Sequence, residues 1–255
     1  MSGVHNLVSI YARIGRTYWS WGPSLLLLAA IVFLPLGLLD SISAELDVDS
    51  IDLGSGIKIA AFVAAFSALT ATSLVGEVFY SGAVAISLTH PEHERPPSLR
   101  EIARRIDYRR LIAVDIVYVL MVVVGLLLFF VPGVLAFVWF GLAGPVVELE
   151  KHSVRGALSR SWRLVRGRFW MVLLVLGPIE VVGDAVGELL GGVVHDALGH
   201  SFLAAWLADS VANIFLTPIF AVAAVLLALD LIAEKDGTGP RLNPRPAPAP
   251  APAVA

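Results

Sequence analysis

The stretch LIAVDIVYVLMVVVGLLLFFV, residues 111–131, carries one charge, Asp115, in an otherwise apolar run. Crossing the hydrocarbon core of a bilayer takes roughly 20 consecutive, mostly apolar residues of α-helix. This run has that length, and it sets the class of the whole chain. Pro132 and Gly133 follow it and predict a tight turn, after which GVLAFVWFGLAGPVVEL returns as a second span.

The rest of the sequence agrees. Of 255 residues, 57% are hydrophobic and 15% are charged, with a mean hydropathy of +0.81. A water-soluble domain of this size has too little interior to hide so much apolar surface behind so few charges. Without cysteines, disulfides and thiolate metal sites are excluded. No cleavable leader is expected, and the apolar run from Leu25 reads as a retained helix.

Working outward, six spans are predicted, at about residues 21–39, 57–89, 111–131, 133–149, from Phe169 onward, and 203–232. The second exceeds what a bilayer requires, so a tilt or a kink near Glu77 and Gly82 is expected. Gly177 and Pro178 are expected to break the fifth. Ser98 and Glu101 form an S-x-x-E capping pattern that predicts a short amphipathic helix over residues 98–110. Residues 1–237 then form one transmembrane domain. The Pro/Ala-rich residues 238–255 lack the N–H groups for a helix and predict an extended, disordered tail.

The basic residues give an independent test. Lys and Arg concentrate in cytoplasmic loops of membrane proteins. With six spans and both termini cytoplasmic, 17 of the 18 basic residues fall inside and only Lys58 falls outside. The predicted fold is therefore all-α and polytopic, with six transmembrane helices and two cytoplasmic amphipathic helices at residues 98–110 and 153–170. The plasma membrane is the expected location.

The segment GALSRSWRLVRGRFW, residues 156–170, is the most distinctive in the chain. At 3.6 residues per turn, Arg155, Arg163 and Arg166 fall along one face, with Arg160 and Arg168 flanking it. Val154, Ala157, Leu158, Ser161, Leu164 and Val165 form the other face. Trp162, Phe169 and Trp170 suit the headgroup region. Each Lys or Arg near an anionic leaflet contributes on the order of 1 kcal/mol. The segment reads first as a surface anchor and topology lock. A dedicated pocket for phosphate-bearing headgroups is the sharper alternative. Nucleic acid is disfavoured, because the basic patch lies against a membrane with no accompanying binding fold.

Residues 132–170, PGVLAFVWFGLAGPVVELEKHSVRGALSRSWRLVRGRFW, resemble the glycerophosphoryl diester phosphodiesterase membrane domain family and related uncharacterised bacterial six-helix proteins. Pro132, Gly133, Pro145, Glu150, Ala157, Ser161, Trp162, Leu164, Gly167, Phe169 and Trp170 carry the likeness in order and spacing. The last span departs from the pattern, with Ala228 and Leu229 in place of an aromatic before Asp230 and no arginine soon after. The phosphodiesterase that lends the family its name resembles a TIM barrel, which needs about 200 residues or more. These short soluble segments leave no room for one. The resemblance implies a membrane module and not phosphodiesterase activity.

Ionisable residues inside spans are costly and are functional candidates by default. Ion pairs to the basic segments account for Asp107 and Asp115 (with Arg104 to Arg110), for Glu148 and Asp230, and for Glu150 (with the arginines at 155–168). Glu77, nearer mid-membrane, reads as a bundle-facing hydrogen-bonding group or an ion-coupling one. Glu180, Asp184 and Glu188 stand at i, i+4, i+8 on one helical face. Three readings are open for them. The acids lie in water on an amphipathic helix at the outer interface, they bind a divalent metal with His195 and His200, or they line an acidic cavity. His90 and His93 read as loop residues beside Pro96 and Pro97.

No G-x-S-x-G, H-E-x-x-H, Walker A or Rossmann glycine pattern is present, so an enzyme is disfavoured and no cofactor is implied. The first functional reading is a non-catalytic membrane protein of envelope or lipid homeostasis, or a membrane scaffold. In it the basic inner-leaflet surface (Arg155, Arg160, Arg163, Arg166, Arg168, Trp162 and Trp170) binds anionic headgroups or a partner protein. The alternative is a small transporter or lipid translocator with a polar path through Glu77, Glu180 and Asp184.

Overall fold

The structure, a computed structural model, describes residues 2–45, 76–89, 99–198 and 202–237. Its helices are α1 (Ser2–Glu45), α2 (Glu77–Leu88), α3 (Leu99–Arg105), α4 (Tyr108–Leu128), α5 (Phe130–Phe140), α6 (Ala143–Glu150), α7 (Val154–Val165), α8 (Phe169–Leu198) and α9 (Phe202–Asp236). Among the described residues, five segments are long and apolar enough to cross a bilayer: Leu7–Gly37, Tyr108–Leu128, Phe130–Glu150, Phe169–Val194 and Ser210–Asp236. A shorter apolar helix, Glu77–Leu88, joins them. The chain is an all-helical polytopic membrane protein. The expected second span is described only from Gly76 onward. The acidic loop after Glu45, Lys58, Ser98, His90, His93, His200 and the tail at 238–255 lie outside the described residues, as does the side chain of His195.

The centre of the bundle is the C-terminal half of α9. Residues 221–228 are buried on every side, and helix α2 is nearly as enclosed. A helix that is apolar all round belongs in an interior, and the alanines at 221, 223, 224 and 228 let neighbouring backbones approach. Helices α1, α2 and α8 pack around α9. The outward residues are apolar too: Ile112, Ile116 and Leu120 on α4, and Val181, Leu189 and Val193 on α8, are exposed. In lipid no polar coat is needed, so the exposed surface resembles the core in chemistry and differs only in contact.

Several predicted boundaries move. Pro132 and Gly133 do not form the turn between the third and fourth spans. The chain reverses at Phe129, which is extended (φ −163°, ψ 152°), and both residues lie inside α5. Proline is tolerated in a first helical turn because the N–H it lacks has no intrahelical partner there. Gly133 stays small for a packing reason: an added Cβ would lie 2.4 Å from Leu126 Cγ and 2.9 Å from Leu126 N. The fourth span is interrupted at Gly141 and Leu142, giving α5 and α6.

The helix expected over 98–110 ends at Arg105. Asp107 starts α4 instead, its Oδ1 accepting the Arg110 N–H at 3.3 Å, so Arg109 and Arg110 belong to the third span. The helix expected over 153–170 is N-capped by Ser153, whose Oγ accepts the Gly156 N–H at 3.3 Å, and ends at Val165. Gly167 (φ 91°) then turns the chain, and Trp170 belongs to α8.

The fifth span is the largest correction. Gly177 and Pro178 do not break it, and α8 runs unbroken from Phe169 to Leu198. Pro178 has no N–H for the Leu174 carbonyl four residues earlier. The Tyr11 hydroxyl of α1 donates to that carbonyl at 2.6 Å and reaches Val175 O at 3.3 Å. Tyr18 donates to Phe215 O (3.2 Å), in the turn of α9 before Pro218 but one residue past the Ile214 carbonyl that this proline frees. Proline survives inside a membrane helix where a neighbour satisfies the freed carbonyl.

Candidate functional site

Two polar regions emerge, one at the basic end of the bundle and one within it. At the basic end, acids and arginines are largely matched. Arg160 is half-buried and forms a bidentate pair with Glu150, its Nε 2.9 Å from Oε2 and its NH2 2.9 Å from Oε1. It also pairs with Asp236 at the end of α9. The Glu150 hydrogen bonds, with those of Asp236, push the guanidinium pKa above its ordinary value against the opposing effect of burial. Arg160 therefore stays charged, and both its donor edges are committed to protein.

Arg168 pairs with Glu234, and Lys235 donates to the carbonyls of Arg163 and Arg166. Arg13 pairs with Asp230. Glu148 accepts Lys151 Nζ at 2.5 Å and the Asp107 N–H at 3.0 Å, and Asp107 pairs with Arg110 at 3.0 Å. The ion pairing expected for Asp107, Glu148, Glu150 and Asp230 is present. The five arginines do not act alike, however. Arg160 and Arg168 clamp α7 and the start of α8 to α9, while the side chains of Arg155, Arg163 and Arg166 are exposed. Arg166 lies over the Trp162 ring, 5.2 Å from its centroid. Trp170 is exposed, and Phe169 packs edge-on between it and Trp139.

Asp115 corrects the expected pairing with Arg104 to Arg110. It is buried, and its Oδ2 accepts the Gly76 N–H at 2.8 Å. Gly76 stands at the N-terminus of α2 with φ 104°, a backbone that glycine adopts without steric penalty. It has no side chain with which to cap that helix. The carboxylate on α4 supplies the cap from across the bundle, where unsatisfied N–H groups and the helix dipole attract negative charge. The span expected to tilt or kink near Glu77 and Gly82 is described only from Gly76 onward, so the residues that would precede a kink lie outside the described residues. Gly82 is inside α2 and buried.

The second region is a cavity of about 300 Å³ between α2, α8 and α9. Glu77, Glu180, Asp184 and Glu188 line it, facing Asn213 and Thr217 of α9. Glu77 is 8% exposed, and its Oε2 has no hydrogen-bond partner among the described residues. It lies within electrostatic reach of Glu180, Asp115 and Asp184. Exposure rises along the row: Glu180 is half-buried, Asp184 and Glu188 are exposed.

Of the three readings of this face, the interfacial helix loses the break at Gly177 and Pro178 on which it rested, while Asp184 and Glu188 are exposed. The acids stand on a membrane span and turn into the cavity, while Val181, Val182 and Leu189 are on the outside. Among the described residues no three acids or histidines come together closely enough to hold a metal ion, and the metal reading also involves the side chains of His195 and His200, which lie outside them. The acidic-cavity reading is the one this geometry matches.

Sequence reasoning missed Asn213 and Thr217. Their signal was present as two polar residues one helical turn apart in an apolar run, but nothing in the sequence shows which helix they face. Tyr118 was also missed. It is fully buried, its hydroxyl has no partner among the described residues, and it lies within electrostatic reach of Glu77 and Glu180.

No protein-family model, no curated protein and no solved structure matches the chain.

Proposed function

We propose that the chain is a non-catalytic, multi-pass transport protein of the bacterial plasma membrane, with its binding site for a small cation in the acidic cavity. The observation that supports this is Glu77, a carboxylate enclosed inside a membrane bundle with one oxygen unpartnered, facing a row of further carboxylates. Burying ionisable groups in a bilayer is costly, and such groups mark ion and substrate paths. Among the described residues the cavity wall carries no Lys or Arg, so its carboxylates are neutralised by protons or by a bound cation, and both suit a site that takes up and releases positive charge. The positive-inside distribution gives both termini to the cytoplasm and opens the cavity toward the outer side. The likeness of residues 132–170 to a bacterial membrane module fits the absence of a catalytic motif.

Reconstituted protein on a solid-supported membrane tests this reading. Concentration jumps of alkali, divalent and organic cations are expected to give a capacitive current for at least one class. Glu77→Gln and Glu180→Gln should abolish it, while an Arg155, Arg163 and Arg166 triple Gln variant should not. No current from any cation, or a current indifferent to both carboxylates, would overturn the reading.

A second reading has its own support. Arg155, Arg163 and Arg166 are exposed beside Trp162 and Trp170, a composition suited to anionic headgroups. Native mass spectrometry in mild detergent is expected to show retained anionic lipid that the triple Gln variant loses. Retention that is absent, or indifferent to these arginines, would leave the segment a topology lock.

A further inference from the structure

From the spacing of the carboxylates we infer that the acidic cavity takes a linear aliphatic diamine or polyamine, a ligand with ammonium groups strung along an apolar chain. This rests on the cation-binding reading above and names its substrate class. Glu180, Asp184 and Glu188 line the cavity from one helix at intervals of four residues. Each step climbs about 6 Å along the axis at 1.5 Å per residue. Glu77, from α2, lines the same cavity, with its Oε2 unpartnered. The charges are therefore arranged in a row, and no three of them converge on a point.

That arrangement selects among cations. A divalent metal needs several oxygens around one centre within about 2.6 Å, which separated carboxylates do not offer. A single ammonium would pair with one acid and leave the others to be neutralised by protons. A chain of ammonium groups separated by three or four methylenes meets successive acids at nearly the helical step. The wall between the acids suits the methylenes, because Ile179, Leu216 and Phe220 contribute apolar surface. Asn213 and Thr217 offer polar atoms on the facing helix. A volume of about 300 Å³ accommodates a slender aliphatic chain.

The test is isothermal titration of the full-length protein in detergent with spermidine, 1,4-diaminobutane, n-butylamine and Mg²⁺ at fixed ionic strength. Spermidine is expected to bind at least tenfold more tightly than n-butylamine, with the diamine between them. Glu180→Gln should weaken spermidine at least tenfold and narrow its advantage over the monoamine. Glu188→Gln, at an exposed position where folding is not at stake, should weaken spermidine more than the diamine and gives the readout if the Glu180 variant does not fold. Equal affinity for spermidine and n-butylamine, or preference for Mg²⁺, would overturn the polyamine assignment and leave the cation site standing. Binding of none of the four would overturn the polyamine assignment, and the cation site would fall with it only if the alkali-cation jumps described above also gave no current.

Discussion

The hydroxyl of Tyr11 donates to the carbonyl of Leu174 at 2.6 Å, and this is the carbonyl that Pro178 leaves without a helical partner. Two residues 163 positions apart thus keep α8 continuous where its own sequence calls for a break. Continuity there carries Glu180 and Asp184 onto the cavity. The contact is testable by a double-mutant cycle. Tyr11→Phe should cost about 1 kcal/mol in a Pro178-containing chain, the typical worth of one such hydrogen bond. In a Pro178→Ala background, where the backbone supplies its own N–H, the cost should fall by more than half. Reversible unfolding in mixed micelles measures both, and equal costs in the two backgrounds would refute the coupling.

The cap that Asp115 gives to α2 predicts a graded series. Asp115→Ala strands the buried Gly76 N–H and should destabilise by about 1–3 kcal/mol. Asp115→Asn retains an acceptor of the same reach and should lose less than half of that. Thermal unfolding followed by tryptophan fluorescence gives the comparison. If Asn were as damaging as Ala, the hydrogen bond would not be the operative interaction.

The arginines at the basic end divide by enclosure. Arg160 and Glu150 have side chains only 14% and 17% exposed, whereas Arg168 and Glu234 are 48% and 46% exposed. Arg160→Gln removes charge-assisted bonds and leaves the partly buried Glu150 with His152 as its neighbour, Nε2 3.1 Å from Oε2, for an expected loss of about 2 kcal/mol. Arg168→Gln should cost less than about 1 kcal/mol, as exposed pairs generally do, and that cost should shrink with added salt. Arg160→Lys should recover only part of the loss, since one ammonium does not reproduce a two-pronged contact. Similar losses at the two positions would contradict this division.

The hairpin between α4 and α5 depends on close approach at Gly133. An alanine there meets Leu126 Cγ at 2.4 Å and should cost about 1–3 kcal/mol by overpacking. Gly15, exposed on α1 with nothing within 4 Å of an added Cβ, is the control. Gly15→Ala should be neutral or stabilising by up to about 1 kcal/mol, because alanine is the better helix former. Detergent-resistant folded yield and melting temperature distinguish the two.

Much of the molecule follows from the sequence alone. Apolar length dictates the membrane class and the approximate spans, because a bilayer demands a minimum run whatever its neighbours are. Ser153 and Asp107 act through neighbouring backbone in sequence. The pairing of Glu150 with the arginine segment was also legible, since both belong to one short connection and charges near an interface seek partners. Tertiary structure decided what depends on distant residues or on the surrounding solvent. Pro178 breaks a helix unless another helix brings a donor, and that donor is on α1. The face carrying Glu180, Asp184 and Glu188 has a pattern that points outward in water and inward in lipid. Periodicity defines the stripe, but only the packing of α8 against α9 determines which way it turns.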